Sequence, residues 1–115
     1  MSELKLFQKS YDFLIWVFTK TDGFPKSKRF SIGQRLENLF LDFIVLVNGL
    51  AYTRKRERKI VEISAIFDQI KLLLRLAHDT KLLSRDSFAF SLGFTEEIGA
   101  MIGGYMKQAK QALTG

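Results

Sequence analysis

Phe7, Tyr11, Leu14 and Phe18 recur at spacings of four, three and four, the repeat of one helical face. The pattern predicts a first helix over about residues 3–20 with that stripe turned inward. Phe13, Trp16 and Val17 fall off the stripe, which leaves the second half of the helix apolar nearly all round. A bundle helix needs one polar face toward water, so a greasy outer face implies a second buried surface. On this reasoning Phe13, Trp16 and Val17 are the expected oligomer interface. A deep core with a few exposed aromatics is the alternative.

A second stripe, Ile32, Leu36, Leu39, Phe40, Phe43, Val47 and Leu50, predicts a helix over about residues 32–51. A third, Ile60, Ile63, Phe67, Ile70, Leu74 and Ala77, predicts one over about residues 56–81. The fourth, over about residues 85–109, turns Phe88, Leu92, Ile98, Ile102, Tyr105 and Ala109 inward. Boundary signals agree with these spans. Pro25 fixes its own φ and disfavours helix at Phe24, so the first helix stops by about Gly23. Ser31 is the expected N-cap of the second helix, and Ser84 or Ser87 that of the last. Gly99, Gly103 and Gly104 each cost about 1 kcal/mol inside a helix relative to Ala, which points to close approach of another backbone. Short connections make antiparallel neighbours. The expected fold is all-α, an antiparallel up-down-up-down four-helix bundle in which residues 1–115 form a single domain.

A chain of 115 residues is long enough for one hydrophobic core and too short for two. It has no cysteine, which excludes a disulfide framework, a zinc–thiolate site and a cysteine nucleophile. The amino terminus has no basic segment followed by a long apolar run. The longest apolar run, residues 13–18, is far short of the roughly 20 residues that span a bilayer. A cytoplasmic protein is expected. A metal centre in a bundle core needs inward Glu residues and Glu-x-x-His pairs. The one histidine, His78, has Arg75 at that position instead. Glu96 and Glu97 diverge by about 100° on a helix and make no catalytic pair. No nucleophile elbow and no phosphate-binding loop occurs. The sequence therefore names no catalytic residue, no metal ligand and no cofactor, and an enzyme is not expected.

Charge changes the picture more than composition does. Residues 25–59 carry nine basic side chains against three acidic ones, the whole of the net charge of +6, and the rest of the chain is balanced. The basic residues are Lys26, Lys28, Arg29, Arg35, Arg54, Lys55, Arg56, Arg58 and Lys59. A localised basic field predicts a polyanionic partner, with a merely solubilising role as the alternative. Residues 54–59 also place cations at a helix start, against the macrodipole, at a few tenths of a kcal/mol per charge. No base-reading motif accompanies them. Binding would rest on phosphate contacts, with Phe30 or Tyr52 stacking on exposed bases.

Three blocks together carry a resemblance. They are Phe24-Pro25-Lys26-Ser27-Lys28-Arg29-Phe30-Ser31-Ile32-Gly33, Leu73-Leu74-Arg75-Leu76-Ala77-His78-Asp79-Thr80-Lys81-Leu82-Leu83-Ser84, and Glu97-Ile98-Gly99-Ala100-Met101-Ile102-Gly103-Gly104-Tyr105. From about Tyr11 to Lys107 the chain resembles the bacterial four-helix-bundle family of 23S rRNA intervening-sequence proteins and the accessory variability determinant, Avd, of diversity-generating retroelements. The resemblance implies a ring-like homopentamer. In the retroelement branch it implies a basic ring that binds a reverse transcriptase and RNA or DNA. In the rRNA branch it implies a structural or protein-interaction oligomer with no specific nucleic-acid role. Matched by position, it points to Lys26, Lys28, Arg29, Arg35, Arg75 and Lys81 as functional cations. No membrane and no small-molecule substrate enters either reading.

Overall fold

The computed structural model describes the backbone of residues 2–114 and the side chains of residues 3–112. Met1 and Gly115, the ends of the expected domain, lie outside the described residues. Four long helices carry the chain: α1 (Ser2–Thr21), α2 (Gln34–Gly49), α3 (Arg56–Asp79) and α4 (Arg85–Thr114). Among the described residues there is no strand. Helix α1 packs on α2 and α4, and α3 packs on the same two, so sequence neighbours run antiparallel around a square. This is the all-α four-helix bundle, 48 Å long and 23 × 22 Å across.

The helix ends follow from local chemistry. Pro25 stops the helical path after α1 and opens a single turn, Lys26–Lys28, followed by a five-residue π-turn, Arg29–Gly33, that runs straight into α2. Ser31 lies inside that π-turn, and its hydroxyl faces the Ser27 and Lys28 carbonyls at 3.4 and 3.3 Å. It is therefore not the N-cap expected, because helix begins ahead of it and its own turn supplies carbonyls within reach. Gly33 packs closely here: a Cβ would meet the buried Phe24 ring at 3.3 Å. Phe24 thus pins the basic loop onto the start of α2. Ser84 caps α4 by accepting the Ser87 N–H at 3.0 Å, one of the two caps expected. Helix α3 closes with the Leu82 N–H bonded to the Ala77 carbonyl at 2.8 Å and Lys81 at φ 65°. That is a left-handed helix end, normally a place for glycine.

Aromatic rings knit the core across all four helices. Phe13 stacks on Phe94 at 4.7 Å and meets Phe40 edge-on at 4.9 Å, and Phe43 stacks on Phe67 at 5.3 Å. The inward stripe of α1 is Leu6, Ser10, Phe13, Leu14, Val17 and Thr21; of the expected stripe Leu14 is buried, Phe7 and Phe18 are half-buried and Tyr11 is exposed. Two small polar residues, Ser10 and Thr21, interrupt the true stripe and hide its period. Thr21 is accommodated because its hydroxyl donates to the Glu37 carboxylate of α2. Phe13 (0% exposed) and Val17 (1%) therefore fill the core of the single chain and are not an outer interface. On α4 the inward residue is Ser91, while Leu92 is exposed and Phe88 lies half-buried against the His78 ring at 4.5 Å. The close backbone approach expected at the α4 glycines is absent too. Gly99 faces only the Phe67 ring, at 3.8 Å from a built Cβ, and Gly103 and Gly104 face open space.

Candidate nucleic-acid interface

The up-down path decides where the cations stand. One end of the bundle gathers the α1–α2 connection, the end of α3 and the start of α4. It carries Lys20, Lys26, Lys28, Arg29, Arg35, Arg75, Lys81 and Arg85 against Asp22, Glu37, Asp79 and Asp86. The opposite end gathers the start of α1, the α2–α3 connection and the end of α4. It carries Lys5, Arg54, Lys55, Arg56, Arg58, Lys59, Lys107 and Lys110 against Glu3 and Glu57. The waist between them is acidic, with Asp12, Asp42, Glu62, Asp68, Glu96 and Glu97 against Lys9 and Lys71. Both waist cations are paired: Lys9 with Glu97 at 3.2 Å, and Lys71 with Asp68 at 3.3 Å. The molecule is a bar with basic ends.

At the first end, Lys26, Lys28, Arg29, Arg35, Arg75 and Lys81 are all exposed. Arg29 lies 3.4 Å from Asp22, and Arg75 lies 3.7 Å from Asp79. Exposed pairs of this kind contribute about 0–1 kcal/mol, so a phosphate can displace the carboxylate. Two of the three motif blocks meet here. Lys28, Ser31 and Ile32 from one and Leu76, Thr80 and Leu82 from the other line a shared shallow groove. Phe30, within the π-turn and beside Lys28 and Arg29, is 70% exposed.

At the second end, Arg54, Lys55 and Arg58 are exposed and Lys59 is half-buried. Tyr52, 85% exposed, stands beside them. Arg56 differs from its neighbours. Its guanidinium donates to the Glu3 carboxylate at 2.8 Å and to the Leu50 carbonyl at 3.4 Å, and lies 5.3 Å from the Tyr105 ring centre. One side chain thus ties together the starts of α1 and α3, the end of α2 and the last turns of α4. Arg56 is engaged within the bundle, unlike its exposed neighbours.

Sequence reasoning missed Lys20 and Arg85 at one end and Lys5, Lys107 and Lys110 at the other. The signal that finds them is topological, because antiparallel neighbours bring the start of α4 beside the end of α1. Of the expected interface residues only Trp16 reaches the surface. It is half-buried against Phe90 at 5.6 Å, with Lys20 over its ring at 5.4 Å. Phe90 beside it is exposed, and a second exposed apolar surface lies where Tyr11 and Ile15 of α1 border a groove with Leu41 of α2. Among the described residues no group of His, Asp or Glu side chains could hold a metal ion, and no helix is long and apolar enough to cross a membrane.

No curated protein and no solved structure matches the chain. The family model described as bAvd-like does, over residues 4–109, a span that takes in all four helices and all three motif blocks. With nearly its whole length matched, in agreement with the resemblance carried by those blocks, the chain belongs to the bAvd-like family.

Proposed function

We propose that this chain is a non-enzymatic, homo-oligomeric accessory protein that binds nucleic acid through its basic ends, as an Avd-like partner of a reverse transcriptase. The observation that carries the reading is the placement of charge. The excess cations stand at the bundle ends, most of them on exposed side chains, where the Arg29–Asp22 and Arg75–Asp79 pairs are weak, while the waist is acidic. A fold has no need of such segregation, and a polyanion gains from it. The exposed apolar border of Tyr11, Ile15 and Leu41 supports self-association, and a ring of five copies is the assembly that the resemblance implies. That same groove also favours a second reading, a protein-binding oligomer whose basic ends only solubilise it.

The deciding experiment is binding of a labelled structured RNA across a salt series, with oligomer mass recorded alongside. The comparison protein carries Lys26→Ala, Lys28→Ala, Arg29→Ala, Arg54→Ala, Lys55→Ala and Arg58→Ala, and leaves Arg56 in place. The slope of log K against log salt should become shallower by about 4, at roughly 0.7 for each single-strand phosphate that is no longer neutralised. If wild type and variant bind alike while both remain assembled, the protein-binding reading replaces this one.

A further inference from the structure

The basic residues that are continuous in sequence are not continuous in space. Helix α2 has 16 residues, about 24 Å at 1.5 Å per residue, and it divides the segment between opposite ends of a bundle 48 Å long. Each end repeats the same pair of parts. One has Phe30 beside Lys28 and Arg29, and the other has Tyr52 beside Arg54 and Lys55. Phe30 at 70% and Tyr52 at 85% are the two most exposed aromatic rings described. A ring left that open gains by being covered, and the flat face of an unpaired base covers it while neighbouring cations hold the flanking phosphates. A duplex keeps its base faces stacked on one another and cannot use such a platform.

The two ends also act separately. Their separation exceeds by far the screening length of about 8 Å at physiological ionic strength. The carboxylates of Asp12, Asp42, Glu62 and Glu96 lie at the waist between them and repel a phosphate chain laid along the bundle. We infer that each end is an independent site for single-stranded nucleic acid, so that one chain holds two strand segments apart. This rests on the nucleic-acid reading proposed above and adds ligand form, site number and site location.

The test uses full-length protein and oligothymidylate of about four nucleotides, near the smallest footprint of a single-strand site, which even fully extended does not span the roughly 30 Å from Phe30 to Tyr52 at 1.5 Å per residue. Titration at low salt should saturate at two oligonucleotides per chain. The triple variant Lys26→Ala/Lys28→Ala/Phe30→Ala and the triple variant Tyr52→Ala/Arg54→Ala/Lys55→Ala should each saturate at one, with oligomer mass and helix content unchanged. In separate single variants, Phe30→Trp and Tyr52→Trp should each show fluorescence quenching on binding beyond the Trp16 background. Phe30→Ala or Tyr52→Ala alone should weaken its own end about tenfold. Saturation of wild type at one per chain, loss of all binding in either triple variant, or quenching at only one end overturns the two-site inference and leaves nucleic-acid binding standing. Equal binding of a duplex without quenching overturns the stacking. Failure of wild type to bind any nucleic acid overturns the inference and the proposed function together.

Discussion

Arg56 provides the sharpest test of this structure, because its sequence context and its surroundings assign it opposite roles. In the sequence it is one of five cations in six positions, 54–59. In the fold it donates to Glu3 at 2.8 Å and lies 5.3 Å from the Tyr105 ring centre. Replacing it with Ala removes a charge-assisted pair whose partners are 34% and 29% exposed, worth about 1 kcal/mol after discounting for solvent. The cation–π contact adds about 0.5–1 kcal/mol, and packing of the arginine stem adds a little more. The sum is about 2 kcal/mol. For a chain of 115 residues that lowers the Tm by about 8 °C, at roughly 4 °C per kcal/mol. Urea and thermal unfolding of Arg56→Ala should show this loss, and Arg54→Ala and Arg58→Ala should stay within about 0.5 kcal/mol of wild type. A cycle pairing Arg56→Ala with Glu3→Gln should recover a coupling of about 1 kcal/mol. The salt dependence of RNA binding should remain as in wild type for Arg56→Ala. If Arg56→Ala unfolds like wild type and instead makes the salt slope shallower, the clamp is wrong and Arg56 is a phosphate ligand.

Further perturbations test the core and its strained points. Phe13→Ala should cost about 3–5 kcal/mol by urea denaturation, because the ring meets Phe40 and Phe94 inside the bundle; a loss below about 1 kcal/mol would place the ring outside. Ser10→Ala should stabilise by about 1 kcal/mol, since the buried Ser10 hydroxyl has no hydrogen-bond partner and Ala is the better helix former; a measured destabilisation would mean the hydroxyl is bonded. Lys81→Gly should also stabilise, by about 1 kcal/mol, by relieving a left-handed backbone at φ 65°; an unchanged midpoint would show that the helix end is not strained.

Helix number, order and most inward faces were legible because the governing signals are local. Leu36, Phe40, Phe43 and Val47 on α2, the six residues from Ile60 to Ala77 on α3, and Ile98, Ile102, Tyr105 and Ala109 on α4 all face the core as their spacing predicts. The pattern misleads where a small polar residue occupies an inward position. Ser10 and Thr21 on α1 and Ser91 on α4 break the apolar period, and the larger neighbours Tyr11 and Leu92 complete a false stripe beside it. Side-chain size outweighs register in the sequence, and register is set by the helix that packs opposite.

The candidate site divides along the same line. The sequence alone determined that the chain folds as helices around one aromatic-rich core, and that its excess charge is positive and confined to residues 25–59. These depend on residue types and on spacings of a few positions. Only the tertiary structure decided that residues 26–35 and 54–59 stand at opposite ends, that α4 brings Arg85 to one and Lys107 and Lys110 to the other, and that Arg56 is tied to Glu3. Those outcomes depend on which helix ends meet. Antiparallel packing brings together residues far apart in sequence and separates cations only one helix apart.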